Sequence, residues 1–268
     1  MKENAVHIEL LDQQYFASQY RFMMPSPDLA PHVLFYWMLD LRHSDLQQDE
    51  YQELLLANMY SSLVLNLGAP FDIYDREQHC LHVCAGSEVI GYHAAPVSYH
   101  HRSNNFLVGI KFKPASLNYL FRIRGTDIYQ QVLPAADVLH HIRQLESAVY
   151  DAKELPAIKA LLEDFLRQHT TLPVDRHSAY VLQSLNGPAL QQCGYQLKKL
   201  ASLLYLSPRT LERYFSDLLG ISPKKCLSII RFREAATQYA LHGYKADWEE
   251  LGYHDFSHFR KEWKKQFI

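Results

Sequence analysis

Three charged side chains near the C-terminal end of the chain have the spacing of one hydrogen-bonding helix face. Arg209, Glu212 and Arg213 lie at positions i, i+3 and i+4, which are neighbours on the surface of an α-helix. A guanidinium can donate two parallel hydrogen bonds to guanine, and a carboxylate can accept one from cytosine. With Thr210, these residues are candidates for reading base edges in DNA. The alternative is a solvated helix face, on which Glu212 only holds an arginine in place.

A similar arrangement recurs 48 residues further along the chain. Asp255 then stands where the first copy has Ser207, and Lys261 stands where it has Arg213. The polar front of the second copy consists of Ser257, Arg260, Lys261 and Lys264. The candidates for DNA binding in this copy are Ser257, His258, Arg260 and Lys261. Two such helices joined by a stiff helix would present their fronts to successive major grooves, about 34 Å apart.

Both candidate helices carry helix-starting residues and an apolar back. Ser207 is a good N-cap, and Pro208 suits the first helical position. Leu206 and Leu211 are spaced as a hydrophobic staple. A long connecting helix is predicted over about residues 223–241. The two apolar backs consist of Leu211, Phe215, Leu218 and Leu219, and of Phe256, Phe259, Trp263 and Phe267.

The net charge of −2 hides an asymmetry between two parts of the chain. Residues 176–268 hold 14 Lys and Arg against 8 Asp and Glu, whereas residues 1–175 hold 13 against 21. A basic segment beside an acidic one indicates a polyanionic partner for the basic part alone. Because the helical pattern of the basic part is self-contained, we expect it to fold independently.

The first half of the chain has the pattern of short strands separated by turn residues. Residues 59–67 partly alternate between apolar and polar side chains, and residues 106–112 alternate well before Pro114. Strands of this kind, with turn residues recurring between them, predict a small barrel or sandwich.

The pattern changes to helical spacing after Pro156, where Leu161, Leu162, Phe165 and Leu166 follow one another on one face. Residues 170–173 then have the composition of a linker. We therefore predict three units, which are a β-rich sensor domain over residues 1–145, a helical linker over 146–175 and a helical domain over 176–268.

Seven His and Cys residues lie between residues 79 and 101 and are of types that ligate metals: His79, Cys80, His82, Cys84, His93, His100 and His101. Their spacing is not one of the strong zinc patterns, and no second Cys/His pair completes it. In a strand, Cys80, His82 and Cys84 would share one face, and His79 would point to the other. We expect no metal ion and no cofactor, and interpret the group as surface histidines and buried thiols.

The composition predicts a water-soluble cytoplasmic protein. Hydrophobic residues make up 48% of the sequence and charged residues 21%, which is enough apolar surface to form a core. No apolar run approaches the length of about 18 residues that a membrane span needs. The first residues include Glu3 and do not resemble a signal peptide. The four cysteines form no compact disulfide framework, which indicates a reducing compartment.

The C-terminal sequence resembles the double helix-turn-helix DNA-binding domain of AraC-type regulators over about residues 177–268. The first motif is carried by residues 207–215, 220–223, Arg231-Phe232 and Ala235-Ala236, and the second by residues 252–265. In that family, exposed residues of both recognition helices read DNA. By position, the resemblance implies this role for Arg209, Glu212, Arg213, Ser257, His258 and Lys261.

Three departures from the family pattern fall in or around the second motif. Residues 246–250 replace the usual Ile-Ala pair of the preceding helix and bring three acids, which predicts a shortened helix. Phe256 stands where the family often has a polar residue, commonly Gln. The sequence stops at Ile268, where the family usually continues through Gly, Pro and Arg. We therefore expect the second motif to read DNA poorly or to serve packing.

The N-terminal half resembles a poorly characterised domain found on some AraC-type regulators, over about residues 20–140. The likeness is carried by residues 25–31, Tyr36-Trp37, 65–68 and 108–114. It implies a cupin-like β-barrel that senses a small molecule or pairs with another subunit. It identifies no ligand and no effector-binding residue.

The sequence therefore predicts an α+β protein with a cupin-like β-barrel followed by an all-α double helix-turn-helix domain. The predicted function is sequence-specific transcription regulation, with double-stranded DNA, a small-molecule effector and a second copy of the chain as partners. One alternative is a cupin-type metal-dependent enzyme, although no convergent set of catalytic residues stands out. Another is a regulator with impaired DNA binding that acts through protein contacts, which the acids at residues 247–250 favour.

Overall fold

The computed structural model of the chain describes residues 6–42, 50–152, 154–169, 176–185 and 187–267, so the predicted linker stretch 170–173 lies outside the described residues. The described strands are β1 (Val6–Ile8), β2 (Tyr20–Met23), β3 (Val33–Asp40), β4 (Glu50–Leu55), β5 (Ser61–Asn66), β6 (Phe71–Asp75), β7 (Cys80–Cys84), β8 (Glu88–Ile90), β9 (Val97–Arg102), β10 (Phe106–Phe112) and β11 (Val132–Pro134).

The described helices are α1 (Gln13–Gln19), α2 (Ser116–Phe121), α3 (Gly125–Ile128), α4 (Ala135–Val138), α5 (Ile142–Ala152), α6 (Leu155–His169), α7 (Arg176–Ser184), α8 (Gly187–Cys193), α9 (Leu197–Leu203), α10 (Pro208–Leu219), α11 (Pro223–His242) and α12 (Phe256–Lys264). A short 3₁₀ helix, Gly243–Lys245, follows α11. Among these helices none is both long and apolar enough to span a membrane.

The strands form two sheets that pack face to face. The first sheet has the order β1-β4-β9-β6-β7, and the second has the order β11-β8-β5-β10-β3-β2. Val64 and Leu107 of the second sheet are buried in one apolar cluster with Phe71 and Ile73 of the first, so this cluster lies between the sheets. The N-terminal part is therefore sheet-rich, as the strand pattern predicts.

β10 lies inside the second sheet, where it pairs antiparallel with β3 and β5. Leu107 faces the first sheet, whereas Phe106 and Val108 join the cluster on the opposite face, because successive side chains of a strand alternate. The strand predicted at residues 106–112 is confirmed over its whole length. The strand predicted at residues 59–67 is confirmed over the shorter span of β5.

The helices α5 and α6 cover the outer face of the second sheet. Leu162 and Leu166 are fully buried in the cluster to which Val108 belongs. The carboxylate of Glu163 accepts hydrogen bonds from the backbone nitrogen and Oγ of Ser26, at 2.8 and 2.7 Å. The predicted helix is thus confirmed, and it is attached to the N-terminal part rather than standing apart from it.

The C-terminal helices share their core with the N-terminal part. Leu211 and Phe215 of α10 belong to the same buried cluster as Leu162 of α6. A second shared cluster places Leu56, which follows β4, with Phe259 of α12. The two parts therefore exclude water from each other along a common surface, which the self-contained helical pattern of the C-terminal part did not predict.

α3 approaches the end of α10 backbone to backbone. A Cβ atom at Gly125 would lie 2.2 Å from the carbonyl oxygen of Leu218 and 2.3 Å from Cα of Leu219, so only glycine fits there without displacing α10. The hydroxyl of Tyr92 donates a hydrogen bond of 3.2 Å to the carbonyl of Gly125, which fixes α3 from its other side.

Candidate nucleic-acid interface and ligand cavity

The start of α10 follows from the capping residues that precede it. The Ser207 hydroxyl accepts a hydrogen bond from the backbone nitrogen of Thr210 at 3.0 Å, and Pro208 occupies the first helical position. Leu211 is fully buried, and Leu206 packs partly buried against the same cluster. The predicted N-cap and the predicted start of this helix are confirmed.

The predicted front of α10 is exposed, and its predicted back is buried. Arg209, Glu212 and Arg213 are all exposed to solvent, whereas the four apolar residues of the back are buried. In the described part of the chain no ion pair joins Glu212 to either arginine, and the Arg213 guanidinium lies 5.5 Å from the centre of the Tyr214 ring. The polar groups of this front therefore remain available to a partner.

Thr210 stands apart from the other three candidates. It is half-buried, and its hydroxyl lies 2.8 Å from that of Ser207, so it takes part in capping the helix. A DNA contact by this side chain would compete with the cap.

The second motif has a capped recognition helix but lacks a regular helix before it. Asp255 caps α12 by accepting a hydrogen bond of 2.8 Å from the backbone nitrogen of His258, as predicted. Residues 246–252 form bends and turns and no α-helix. The departures of residues 246–250 from the family pattern predict a shortened helix at this place. Trp248 is buried there, and its indole donates a hydrogen bond of 3.0 Å to the Tyr244 carbonyl.

A partly buried polar network holds this turn against α11 and α12. Tyr253 is 2% exposed, and its hydroxyl donates a hydrogen bond of 2.6 Å to Glu262. The same carboxylate lies 3.2 Å from the Arg231 guanidinium, which also covers the Tyr253 ring at 4.5 Å. Burial, followed by the bond to Glu262, raises the pKa of Tyr253 above its usual range. The second motif is therefore rigidly packed without a complete first helix.

The predicted front of α12 is exposed but partly faces the N-terminal part. The side chains of Ser257, His258, Arg260 and Lys261 are all exposed. His258 and Lys261 line a cleft of about 700 Å³ whose opposite wall includes Arg76 and Glu77, from the turn between β6 and β7. The structure thus places Arg209, Glu212 and Arg213 together on one exposed surface of α10. Of the α12 candidates, His258 and Lys261 line the cleft between the two domains.

A second feature of interest is a cavity between the two sheets. Its volume is about 340 Å³, within the range typical of small-molecule sites. Aromatic rings provide much of its lining, namely Phe16, Tyr20, Phe22, Phe35, Trp37, Phe71 and Tyr99. A Cβ atom at Gly109 would lie 2.0 Å from the Trp37 ring, so the indole lies across the strand only because residue 109 is glycine.

A buried polar group forms part of the cavity wall. Glu53 accepts a hydrogen bond of 2.6 Å from the Tyr20 hydroxyl and lies 3.2 Å from Nε2 of His101. Both Glu53 and His101 are 1% exposed. Among the described residues, Oε1 of Glu53 and Nδ1 of His101 have no hydrogen-bond partner. Burying such groups is costly, so they mark a site for a polar partner.

Lys111 supplies a positive charge to the same cavity. Burial, with a smaller contribution from Arg233, lowers the pKa of this lysine to about 8, and Glu9 opposes the shift. Within the described residues no carboxylate pairs directly with its ammonium group. No residue is assigned to a ligand cavity from the sequence, and Trp37 and His101 are named there for other reasons. The available signal was a lysine inside the otherwise apolar strand at residues 106–112.

The Cys and His side chains of β7 have the predicted orientations. Cys80 and His82 are half-buried and Cys84 is buried, whereas His79 precedes the strand and is exposed. Burial raises the pKa of the Cys84 thiol above its usual range. In the described part of the chain, no three His, Cys, Asp or Glu side chains come together as a metal site would require.

Comparison with known families divides the chain into the same two parts. Residues 200–267 match a family model described as a helix-turn-helix domain, and residues 21–134 match a domain of unknown function (DUF6597). No curated protein is similar enough in sequence to match the chain.

Three solved structures are similar to this chain over most of its length. ToxT from Vibrio cholerae is 10% identical, with 82% of this chain and 95% of ToxT covered and a TM-score of 0.43. ToxT bound to an unsaturated fatty acid is 10% identical, with 91% and 93% covered and a TM-score of 0.42. The AraC-like transcriptional activator CuxR is 14% identical, with 89% and 93% covered and a TM-score of 0.34.

The matched helix-turn-helix region contains α10, α11 and α12, and therefore both capped helices and both exposed fronts. The other match contains strands β3 to β11 and most of the residues that line the cavity, whereas β1 and α1 precede it. The chain is a DNA-binding transcription regulator with a C-terminal helix-turn-helix domain and an N-terminal DUF6597 domain.

Proposed function

We propose that the chain reads DNA sequence mainly through the front of α10. The observation that carries this proposal is that Arg209, Glu212 and Arg213 are exposed together on a helix whose back is buried. Arginines with free guanidinium groups can reach guanine O6 and N7 in the major groove. Glu212 lies between them and can accept from a cytosine amino group.

The front of α12 has a supporting role in this proposal. Ser257, His258, Arg260 and Lys261 are exposed, but two of them line the cleft opposite the β6–β7 turn. Arg76 and Glu77 lie across this cleft from His258 and Lys261, so a DNA duplex has less room there than at the exposed front of α10. We assign these four side chains to phosphate contacts, which position a protein on DNA without specifying sequence.

A selection experiment with the full chain tests the proposal. Duplexes that bind are enriched from a random pool, and affinity is measured between about 50 and 200 mM salt. We expect one short enriched motif and a log–log salt slope of about −0.9 for each phosphate contacted. Absence of binding at about 50 mM salt would contradict the proposal.

We further propose that the cavity between the sheets binds the effector, a small molecule with a flat apolar body and one negative charge. The aromatic lining suits the body, and Lys111 supplies a counter-charge that has no direct carboxylate partner among the described residues. The buried oxygen of Glu53 additionally favours a ligand that carries one hydrogen-bond donor.

Two naphthalene derivatives of similar size test whether the cavity prefers a negatively charged ligand. 2-Naphthoate is an anion, and 2-naphthalenemethanol is neutral. Binding of each to the full chain is measured by calorimetry. We expect the anion to bind more tightly at pH 7, and its advantage to shrink as the pH rises through about 8 and Lys111 loses its proton. The Lys111→Met variant should abolish that pH dependence. Equal affinities for both compounds in the unaltered chain would refute the proposed class.

A further inference from the structure

Tyr205 lies in the turn between α9 and α10, and its side chain is 98% exposed. The next most exposed large apolar side chains in the described part of the chain, Met24 and Tyr244, are each 69% exposed. An aromatic ring that stays in water contributes no burial to folding. Its presence at this position therefore needs another explanation.

The backbone at this residue makes the choice of tyrosine more unusual. The backbone nitrogen of Tyr205 donates to the Ser202 carbonyl at 3.1 Å, and that of Leu206 donates to the Ala201 carbonyl at 2.9 Å. This pair of hydrogen bonds is a Schellman motif, whose left-handed residue is usually glycine. Tyr205 has φ of +54°, whereas the chain uses a glycine, Gly220, at φ of +62° after α10.

A second tyrosine in the same conformation provides a comparison. Tyr195 has φ of +58°, but its ring is half-buried and packs against the main apolar cluster. Packing therefore accounts for a tyrosine at residue 195. Neither packing nor backbone preference accounts for one at residue 205, and unexplained strain of this kind concentrates at functional sites.

The position of Tyr205 relative to the reading front suggests its role. When a helix-turn-helix binds DNA, the first helix crosses the phosphate backbone and the start of the second enters the major groove. The turn between them then lies at the groove edge. Lys198 and Ser202 are exposed on α9 and lie four residues apart, so they share one face of that helix.

We propose that the Tyr205 hydroxyl donates a hydrogen bond to a DNA phosphate oxygen at the edge of the groove that Arg209 and Arg213 enter. Lys198 contacts a neighbouring phosphate. This inference rests on the proposed reading function of α10. The rigid ring and the fixed turn aim the hydroxyl with little loss of side-chain freedom, which is why an exposed tyrosine is suited to this contact.

The test uses the full chain, a 30-base-pair duplex of random sequence and fluorescence anisotropy at low salt. Tyr205→Phe should weaken binding about tenfold, as expected for the loss of one hydrogen bond to a charged group. The loss should be equal on a selected duplex, because phosphate contacts carry no sequence information. The salt slope should stay unchanged for this variant and should decrease by about 0.9 for Lys198→Met.

Two further variants separate a DNA contact from a structural role. Tyr205→Gly should weaken DNA binding at least as much while leaving the thermal midpoint unchanged or higher, because glycine suits the left-handed turn. Tyr150→Phe removes a hydroxyl from another exposed tyrosine, on α5, and should bind as the unaltered chain does.

Full affinity of Tyr205→Phe, a loss confined to one DNA sequence, or a lower midpoint of Tyr205→Gly would overturn the inference. If the unaltered chain bound no duplex, the proposed function would fall as well. If the chain bound DNA and only the Tyr205 variants were without effect, the reading role of α10 would stand.

Discussion

The carboxylate of Glu9 forms a two-point ion pair with the guanidinium of Arg233, at 2.6 and 3.1 Å. Glu9 follows the first strand and lines the cavity between the sheets, whereas Arg233 belongs to α11 of the helix-turn-helix domain. The side chains are 21% and 17% exposed. A wall of the cavity between the sheets is thus bonded directly to the helix that joins the two helix-turn-helix motifs.

We predict measurable energetic coupling between these two residues. In a double-mutant cycle with Glu9→Gln and Arg233→Met, thermal unfolding should give a coupling of about 1–2 kcal/mol. Arg124 and Asp127, an exposed pair at 69% and 43%, serve as control and should show no measurable coupling. A coupling for the first pair no larger than that of the control would contradict this prediction.

The same pair should depend on pH in one direction. Burial opposes ionisation of Glu9, but the Arg233 guanidinium holds the pKa of this carboxyl below its usual value. Its contribution to stability is therefore complete above the unfolded pKa, about 4.3, and is lost as the pH falls through the lower folded pKa. We expect the coupling energy of Glu9 and Arg233, measured with the same double-mutant cycle, to be constant near neutral pH and to decrease below about pH 4.

The contact between α3 and α10 should tolerate no added atom. Gly125→Ala places a Cβ 2.2 Å from the backbone oxygen of Leu218, so one of the two elements must move. We expect a loss of about 1–3 kcal/mol in unfolding free energy, measured by urea denaturation. Gly86→Ala is the matched control, because its Cβ would meet nothing within 4 Å. Equal stability of the two variants would show that the two backbones separate easily.

The two reading fronts should respond differently to loss of charge. Arg213→Ala should cost about 1–3 kcal/mol on the best DNA site and relax the preference at one base pair. Lys261→Ala should weaken binding evenly across sequences, because a phosphate contact carries no sequence information. Arg143→Ala, an exposed arginine on α5, should leave both unchanged. If Lys261→Ala alone reshaped the specificity profile, the roles of the two motifs would be reversed.

A buried carboxyl in β8 should make the fold less stable at high pH. Burial, followed by repulsion from Asp137, raises the pKa of Glu88 to about 7. A raised folded pKa means that stability present below the unfolded pKa is lost as the pH rises through about 7. Glu88→Gln should therefore be more stable than the unaltered chain at pH 8, by on the order of 2 kcal/mol, and similar at pH 5.

Asp137→Asn provides the companion measurement. Removing the repulsive charge should move the midpoint of this pH effect downward. Thermal unfolding between pH 5 and 8, a range that spans the Glu88 pKa of about 7, measures both variants. A pH-independent difference between Glu88→Gln and the unaltered chain would contradict the assignment of the effect to Glu88.

The sequence by itself determined the local structure of the DNA-binding part. Ser207 and Asp255 cap their helices as predicted, because capping depends on residues only three positions apart. The apolar back of α10 and the alternation of β10 were likewise readable, since periods of 3.6 and 2 place side chains on one face. The acids at residues 247–250 correctly predicted that the first helix of the second motif is incomplete.

Tertiary structure alone decided how the two parts meet. Glu9 and Arg233 are 224 residues apart, and Gly125 and Leu218 are also distant in sequence, so no local pattern relates either pair. The cavity could not be predicted from the sequence for the same reason. Glu53, His101 and Lys111 come together only when strands from two sheets face one another. Pairings of this kind depend on the register and packing of whole sheets, which periodicity within one segment does not specify.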